Sequence, residues 1–195
     1  MKQLWIVPSL LALAATLAAA APPAMPAFTA DVVTTVEGDR NEGRIYSSGT
    51  KIRNETTIGG RQTTSIMDLE KKQMWMLLPP PIGCMQTSLA AGPTHPLALP
   101  GVDTKEELVG SETFDGHPTK KYRIRTTVDG KSYEMFQWRA TDLKGVVVRM
   151  TDPAGSYETV YRNVVLGAPD AKLFEPPANC VAAPTAGGLG APPKK

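Results

Sequence analysis

From Phe28 to about Leu166, apolar and polar residues alternate with a period of two almost everywhere, the repeat of a pleated strand rather than of a helix. Phe28, Ala30, Val32, Thr34 and Val36 alternate with Thr29, Asp31, Val33, Thr35 and Glu37, a run rich in β-branched residues that suits a pleated surface. Asp39 to Glu42 reads as a turn, short strands follow over Gly43 to Ser48 and Lys51 to Ile58, and Gly59-Gly60 turns the chain into Arg61 to Asp68. After a turn over Leu69 to Lys72, Met74 to Leu78 is apolar on both faces, as expected of a strand covered on each side. Pro79 to Pro81 ends it, because prolines cannot donate to a ladder.

The second half repeats the meander. Strands are predicted over Glu107 to Phe114, Thr119 to Thr127, Ser132 to Thr141, Val146 to Thr151 and Ser156 to Leu166, separated by Asp115-Gly116, Asp129-Gly130, Lys144-Gly145 and Asp152 to Gly155. Turn dipeptides at this spacing are the mark of antiparallel hairpins. In Thr119 to Thr127, Tyr122, Ile124 and Thr126 face one way and Lys121, Arg123 and Arg125 the other, which reads as one core face and one solvated face. Pro79 to Thr104 is the exception, holding Ile82, Met85, Leu89, Leu97 and Leu99 among Pro, Gly, Ala and Ser. Long connections inside compact domains are usually lids, binding loops or disorder, and the apolar residues argue against disorder.

The two ends change the picture. Met1 and Lys2, an apolar run from Leu4 to Leu17 and the small residues Ala18 to Ala21 have the order of a cleavable secretory signal, with cleavage expected after Ala20. The run is too short to span a bilayer comfortably, no second run of spanning length follows, and no cysteine follows it to carry a lipid. The expected organisation is therefore a signal peptide over 1–20, a flexible leader over 21–27, one β domain over 28–175 and a Pro, Gly and Ala-rich tail over 176–195. About 170 residues suit a single core. The two cysteines, Cys84 and Cys180, are an even count in an exported chain, so one disulfide tying the tail to the domain is expected.

Charge and motifs exclude more than they suggest. A formal charge of +2, with basic residues scattered among acidic ones, gives no footprint for nucleic acid. His95 and His117 each adjoin a proline and neither has metal-ligand spacing, and no nucleophile elbow, phosphate loop or dinucleotide fingerprint occurs. We therefore expect no enzyme activity, no metal and no cofactor. Asn54-Glu55-Thr56 matches the three-residue glycosylation pattern. Trp75, Phe136 and Trp138 either fill a core or line a cavity.

Several phrases taken together resemble one family: Lys71-Lys72-Gln73-Met74-Trp75-Met76-Leu77-Leu78-Pro79, then Glu112 through Tyr122 with Asp115-Gly116-His117-Pro118 at its centre, and the closing Leu173-Phe174-Glu175-Pro176-Pro177. This is similar to the outer-membrane lipoprotein-sorting superfamily, the LolA/LolB-like half-barrels, over roughly Phe28 to Pro177, and within it to a periplasmic branch distinct from the carriers themselves. The resemblance implies a mainly β fold, a strongly curved antiparallel meander sheet with a covering loop or short helices, whose cavity takes lipid or lipoprotein acyl chains. No amphipathic lid helices are found, and no carrier residue maps onto this chain position by position.

The expected function is thus a periplasmic binding protein or carrier for an apolar, lipid-like ligand, held by Trp75, Leu77, Phe136 and Trp138 and covered by Ile82, Met85, Leu97 and Leu99 of the Pro79 to Thr104 connection. The alternative is an envelope interaction module with a filled core, whose partner is another envelope protein.

Overall fold

The computed structural model describes residues 25–81, 83–89, 103–128 and 131–183. Twelve strands form one sheet: β1 (Ala27–Val36), β2 (Asp39–Ser48), β3 (Lys51–Ile58), β4 (Arg61–Asp68), β5 (Gln73–Leu78), β6 (Gly83–Ser88), β7 (Asp103–Phe114), β8 (His117–Val128), β9 (Lys131–Ala140), β10 (Val146–Thr151), β11 (Tyr157–Leu166) and β12 (Val181–Ala182). Their spatial order is β12-β6-β5-β4-β3-β2-β1-β11-β10-β9-β8-β7. Two meanders therefore meet where β1 pairs with β11, and the sheet curves as a half-barrel without closing. Every described pairing is antiparallel except that of β12 with β6. A 3-10 turn, Ala171–Phe174, lies against β3.

The turns explain why the strands begin where they do. Glu37 and Gly38 both take positive φ (50° and 93°), as do Gly59 and Gly60 (56° and 75°) and Asp115 and Gly116 (50° and 83°). Two successive left-handed residues are the signature of the tight hairpin turn whose twist matches that of the strands it joins. The first of these corrects the expected turn at Asp39 to Glu42. Because Glu37-Gly38 already reverses the chain, Asp39 to Glu42 pair with Val36 to Val33 as the opening of β2.

A second correction concerns Pro79 to Thr104. Gly83 takes φ 72° just after the prolines, and Gly83 to Ser88 then pair residue by residue with Leu78 to Gln73. Part of the expected covering connection is thus a sheet strand, and Asp103 and Thr104 already belong to β7. Ile82, Leu97 and Leu99 lie outside the described residues.

Residues opposite one another in a ladder project to the same side, so register fixes the faces. Phe28 opposes Ser47, Ser47 opposes Ile52, Ile52 opposes Met67 and Met67 opposes Met74, placing all five on one side. Here lies the main core cluster of Phe28, Ala30, Ile45, Ile52, Met67, Leu89 and Val146, all buried. Burying each large side chain among these contributes roughly 1.5–3 kcal/mol by area. On the other side Ile66, Trp75 and Cys84 form a smaller cluster with Leu77 and Cys180.

Cys84 and Cys180 are bonded, with a sequence separation of 96 between the two ends of the bridge, and so pin β12 onto β6. β12 contributes only two residues and both are exposed, so the covalent link holds it there. The Cys180→Ser variant should be less stable by up to about 4.7 kcal/mol in urea unfolding, the chain-entropy value for a loop of this size. Trp75 shares a cluster with both sulfurs, so its emission should rise in the same variant as the quenching disulfide is lost. Unchanged emission and midpoint would show that the bridge leaves this edge unaffected.

Candidate functional site

The methionines are the least expected feature of the register. Met67 opposes Met74 across β4 and β5, and Met76 opposes Met85 across β5 and β6. Alternation puts Met74 and Met76 on the same side, so the four form one contiguous patch. Met135 opposes Ile124, Met150 opposes Gln137, and the Thr34 to Thr159 to Met150 ladder carries this same side across β1, β11 and β10. Met25 packs against the core cluster of that side. Of eight methionines, all but Met1, which lies outside the described residues, therefore belong to one face of the sheet. An unbranched, polarisable thioether adapts its shape to irregular apolar partners.

That face is not apolar throughout. Next to Met76 in cross-strand order come Ser65 and Asn54, and one row further along the strands Thr63 opposes Thr56, which opposes Gly43. Gly43 is required by close approach, since a Cβ there would lie 2.0 Å from the backbone oxygen of Glu55. Asn54 Oδ1 is buried and has no hydrogen-bond partner.

Tyr161 lies on the same side, opposite Val32, with its ring 6.1 Å from that of Phe28. Burial pushes its phenol well above the usual range, with the neighbouring Tyr157 adding a smaller upward push.

The opposite face of the far limb is built differently. Trp138 is buried with Ala140 and Val148, with Phe114 and Phe136 packed alongside. Lys121 Nζ sits 4.5 Å from the Trp138 ring centroid and 4.9 Å from that of Phe136, while the Arg149 guanidinium lies 4.6 Å from Trp138 and 5.3 Å from Phe114. Trp138 Nε1 donates to Glu112 Oε1. Arg123 pairs with Glu107 at 3.1 Å, Arg125 with Glu134 at 2.8 Å and Arg149 with Glu158 at 2.8 Å. Of the stripe expected to be solvated, Lys121 and Arg123 are thus stacked over aromatic rings, while Arg125 stays exposed and paired with Glu134. The rings of this cluster are covered by cations.

The sequence-predicted ligand residues are divided accordingly. Trp75 and Leu77 share one cluster, Phe136 and Trp138 another, and strands β4, β3, β2, β1, β11 and β10 lie between the two tryptophans. They do not line a common pocket. Met85 is the one described member on the methionine face, and nothing in its local sequence marks it out; the signal is its parity with Met74 and Met76 once the register is known. A recess of about 470 Å3 on the surface is lined by Arg53, Arg61, Gln62, Thr64, Leu77, Leu78 and Pro79 and holds no aromatic.

Among the described residues no group of three or more His, Cys, Asp or Glu could hold a metal. His117 Nδ1 lies 2.8 Å from Asp142 Oδ2, a surface pair whose hydrogen bond holds the Asp142 carboxyl below the usual range. His95 lies outside the described residues.

No protein-family model matches the chain, and no curated protein does. Its structure is similar to that of an uncharacterized conserved protein from Thermus thermophilus, with a TM-score of 0.56 at 12% identity over 81% of this chain and 90% of that one. Structures that superpose less well include a LolA superfamily protein from Nitrosomonas europaea (TM-score 0.42, 15% identity, 77% of this chain and 90% of that one) and the Mycobacterium tuberculosis lipoprotein LppX (TM-score 0.39, 16% identity, 70% and 85%).

Trp138→Ala removes the ring that Lys121 and Arg149 cover and should cost about 3–5 kcal/mol in urea unfolding, as for other buried aromatic truncations; a cost under about 1 kcal/mol would show that the cation layer stands without it. For Tyr161 the sign is fixed by its raised native pKa. Its contribution is complete below the unfolded value of about 10 and is lost as pH rises toward the native value. The melting temperature should fall more steeply between about pH 9 and 11 for the parent than for Tyr161→Phe, and parallel curves would contradict the buried phenol.

Proposed function

We propose that this chain is a binding protein or carrier of the cell envelope that takes a lipid-like, acyl-chain ligand on the methionine face of its curved sheet. The observation that carries the reading is the gathering of Met67, Met74, Met76 and Met85 into one patch continuous with Phe28, Ile45 and Ile52. A filled core needs well-defined rotamers, which aliphatic residues supply better, whereas a surface that receives a flexible chain gains from side chains that repack. The resemblance of the Lys71 to Pro79, Glu112 to Tyr122 and Leu173 to Pro177 phrases to lipoprotein-sorting half-barrels supports the same reading.

Export supports the compartment. The signal-like N-terminus and the Cys84 to Cys180 bridge both suit an oxidising space such as the periplasm, and among the described residues no helix is long and apolar enough to cross a membrane. Trp75, Leu77, Phe136 and Trp138 support the site from behind, while Met85, with Met67, Met74 and Met76, meets the ligand.

Fluorescent long-chain acids and alcohols should bind the purified protein with saturation. Met76→Glu, which sets a carboxylate in the patch, should weaken binding at least tenfold, about 1.4 kcal/mol, while leaving the unfolding midpoint within a few degrees. Absence of saturable binding to either probe, or equal binding by a folded Met76→Glu variant, would remove this face as the ligand site.

A further inference from the structure

We infer that the ligand of the methionine face is a single-chain amphiphile carrying a hydrogen-bond donor, a hydroxyl or an amide N–H, beside its acyl chain, and that Asn54 Oδ1 accepts from that donor. The inference rests on the proposed apolar-ligand reading and adds the chemistry of the headgroup.

Buried polar atoms are nearly always paired, so an unpaired one calls for a cause. The described residues contain two, Asn54 Oδ1 and Arg123 Nε. Arg123 Nε lies 3.7 Å from Glu134 Oε1 inside the ion-pair lattice, so its charge is met even without a hydrogen bond. Asn54 Oδ1 has no such compensation. It belongs to a row that crosses the sheet through Ala30, Ile45, Asn54, Ser65, Met76 and Met85, with Ala30 and Ile45 almost fully buried.

Position and polarity both constrain what fits. Two strand spacings, about 10 Å, separate Asn54 from Met76. On one side of that row the face carries Phe28, Ile52, Met67 and Met74, with Ser47 between them bonded to the Pro26 carbonyl and Thr87 at the end, and on the other side it runs from Val32 to Gly43, Thr56 and Thr63. An acyl chain lying over the first group brings its head to Asn54, where the apolar surface ends. The unmatched atom there is an oxygen acceptor. A head bearing an O–H or N–H satisfies it, whereas an ester or carboxylate would set oxygen against oxygen in a place with little water.

The experiment is displacement of a bound fluorescent long-chain alcohol from the full mature chain by three ligands of equal chain length: hexadecanol, N-methylhexadecanamide and methyl hexadecanoate. In the parent, the alcohol, the amide or both should displace the probe at about tenfold lower concentration than the ester, which offers acceptors alone. Which of the two gains identifies the source of the donor. In Asn54→Leu the three should fall within about twofold of one another, the alcohol and amide losing their advantage while the ester, relieved of the opposed oxygen, binds at least as well as to the parent, and the melting temperature should rise because a buried unpaired group has gone. Asn54→Ser, too short to reach the head, should level the three in the same way and serves if the leucine variant does not fold. Equal displacement by all three in the parent, or a donor preference that survives both substitutions, overturns the inference while leaving the apolar site standing. No displacement by any of them sinks both.

Discussion

The shared face of the methionines depends on the register across β1. That strand pairs along its length with β2 on one side and β11 on the other, and so joins two meanders that share no other described ladder. Side chains in a strand have a period of two, and a slip of one residue would turn a whole meander over. The methionines of β4 to β6 and those of β9 and β10 share a face only because Val32 opposes both Gly43 and Tyr161, and Thr34 both Asn41 and Thr159. What pins this register is the burial of Phe28, Ala30 and Val32, while Thr29, Asp31 and Val33 project to the other side. The irregularity between Thr29 and Asp31 absorbs one residue of mismatch with β11, where Asn163 takes φ 51°.

Much of the fold could be read from local chemistry, because each tight turn advertises itself. Lys51 to Ile58 and Arg61 to Asp68 have the expected bounds, since Gly59-Gly60 readily takes the conformation that makes a two-residue hairpin. β6 is hidden for the opposite reason. Gly83, Cys84, Gln86 and Ser88 are weak strand formers that follow three prolines, and their pairing comes from the neighbouring β5 and the disulfide rather than from propensity.

The site is less legible than the fold. Large aromatics draw attention in a sequence, yet Phe136 and Trp138 sit beneath Lys121, Arg123 and Arg149, a packing that alternation alone cannot distinguish from a solvated stripe. The informative residues are the methionines, whose numbers 67, 74, 76 and 85 show no common parity. Their shared face emerges only when the Leu69 to Lys72 and Pro79 to Ile82 connections are given their true lengths. That face is encoded in the offsets between strands, which single-sequence periodicity does not carry.

The two faces of the sheet differ in chemistry. On the far limb, ion pairs and cations stacked on rings occupy the face opposite Met135 and Met150. On the other limb the reverse face is held by Ile66, Trp75 and the disulfide. Asn54 fits this division. It is a polar atom left unsatisfied on the methionine face, and such an atom lowers the stability of the empty protein while favouring whatever supplies its missing donor.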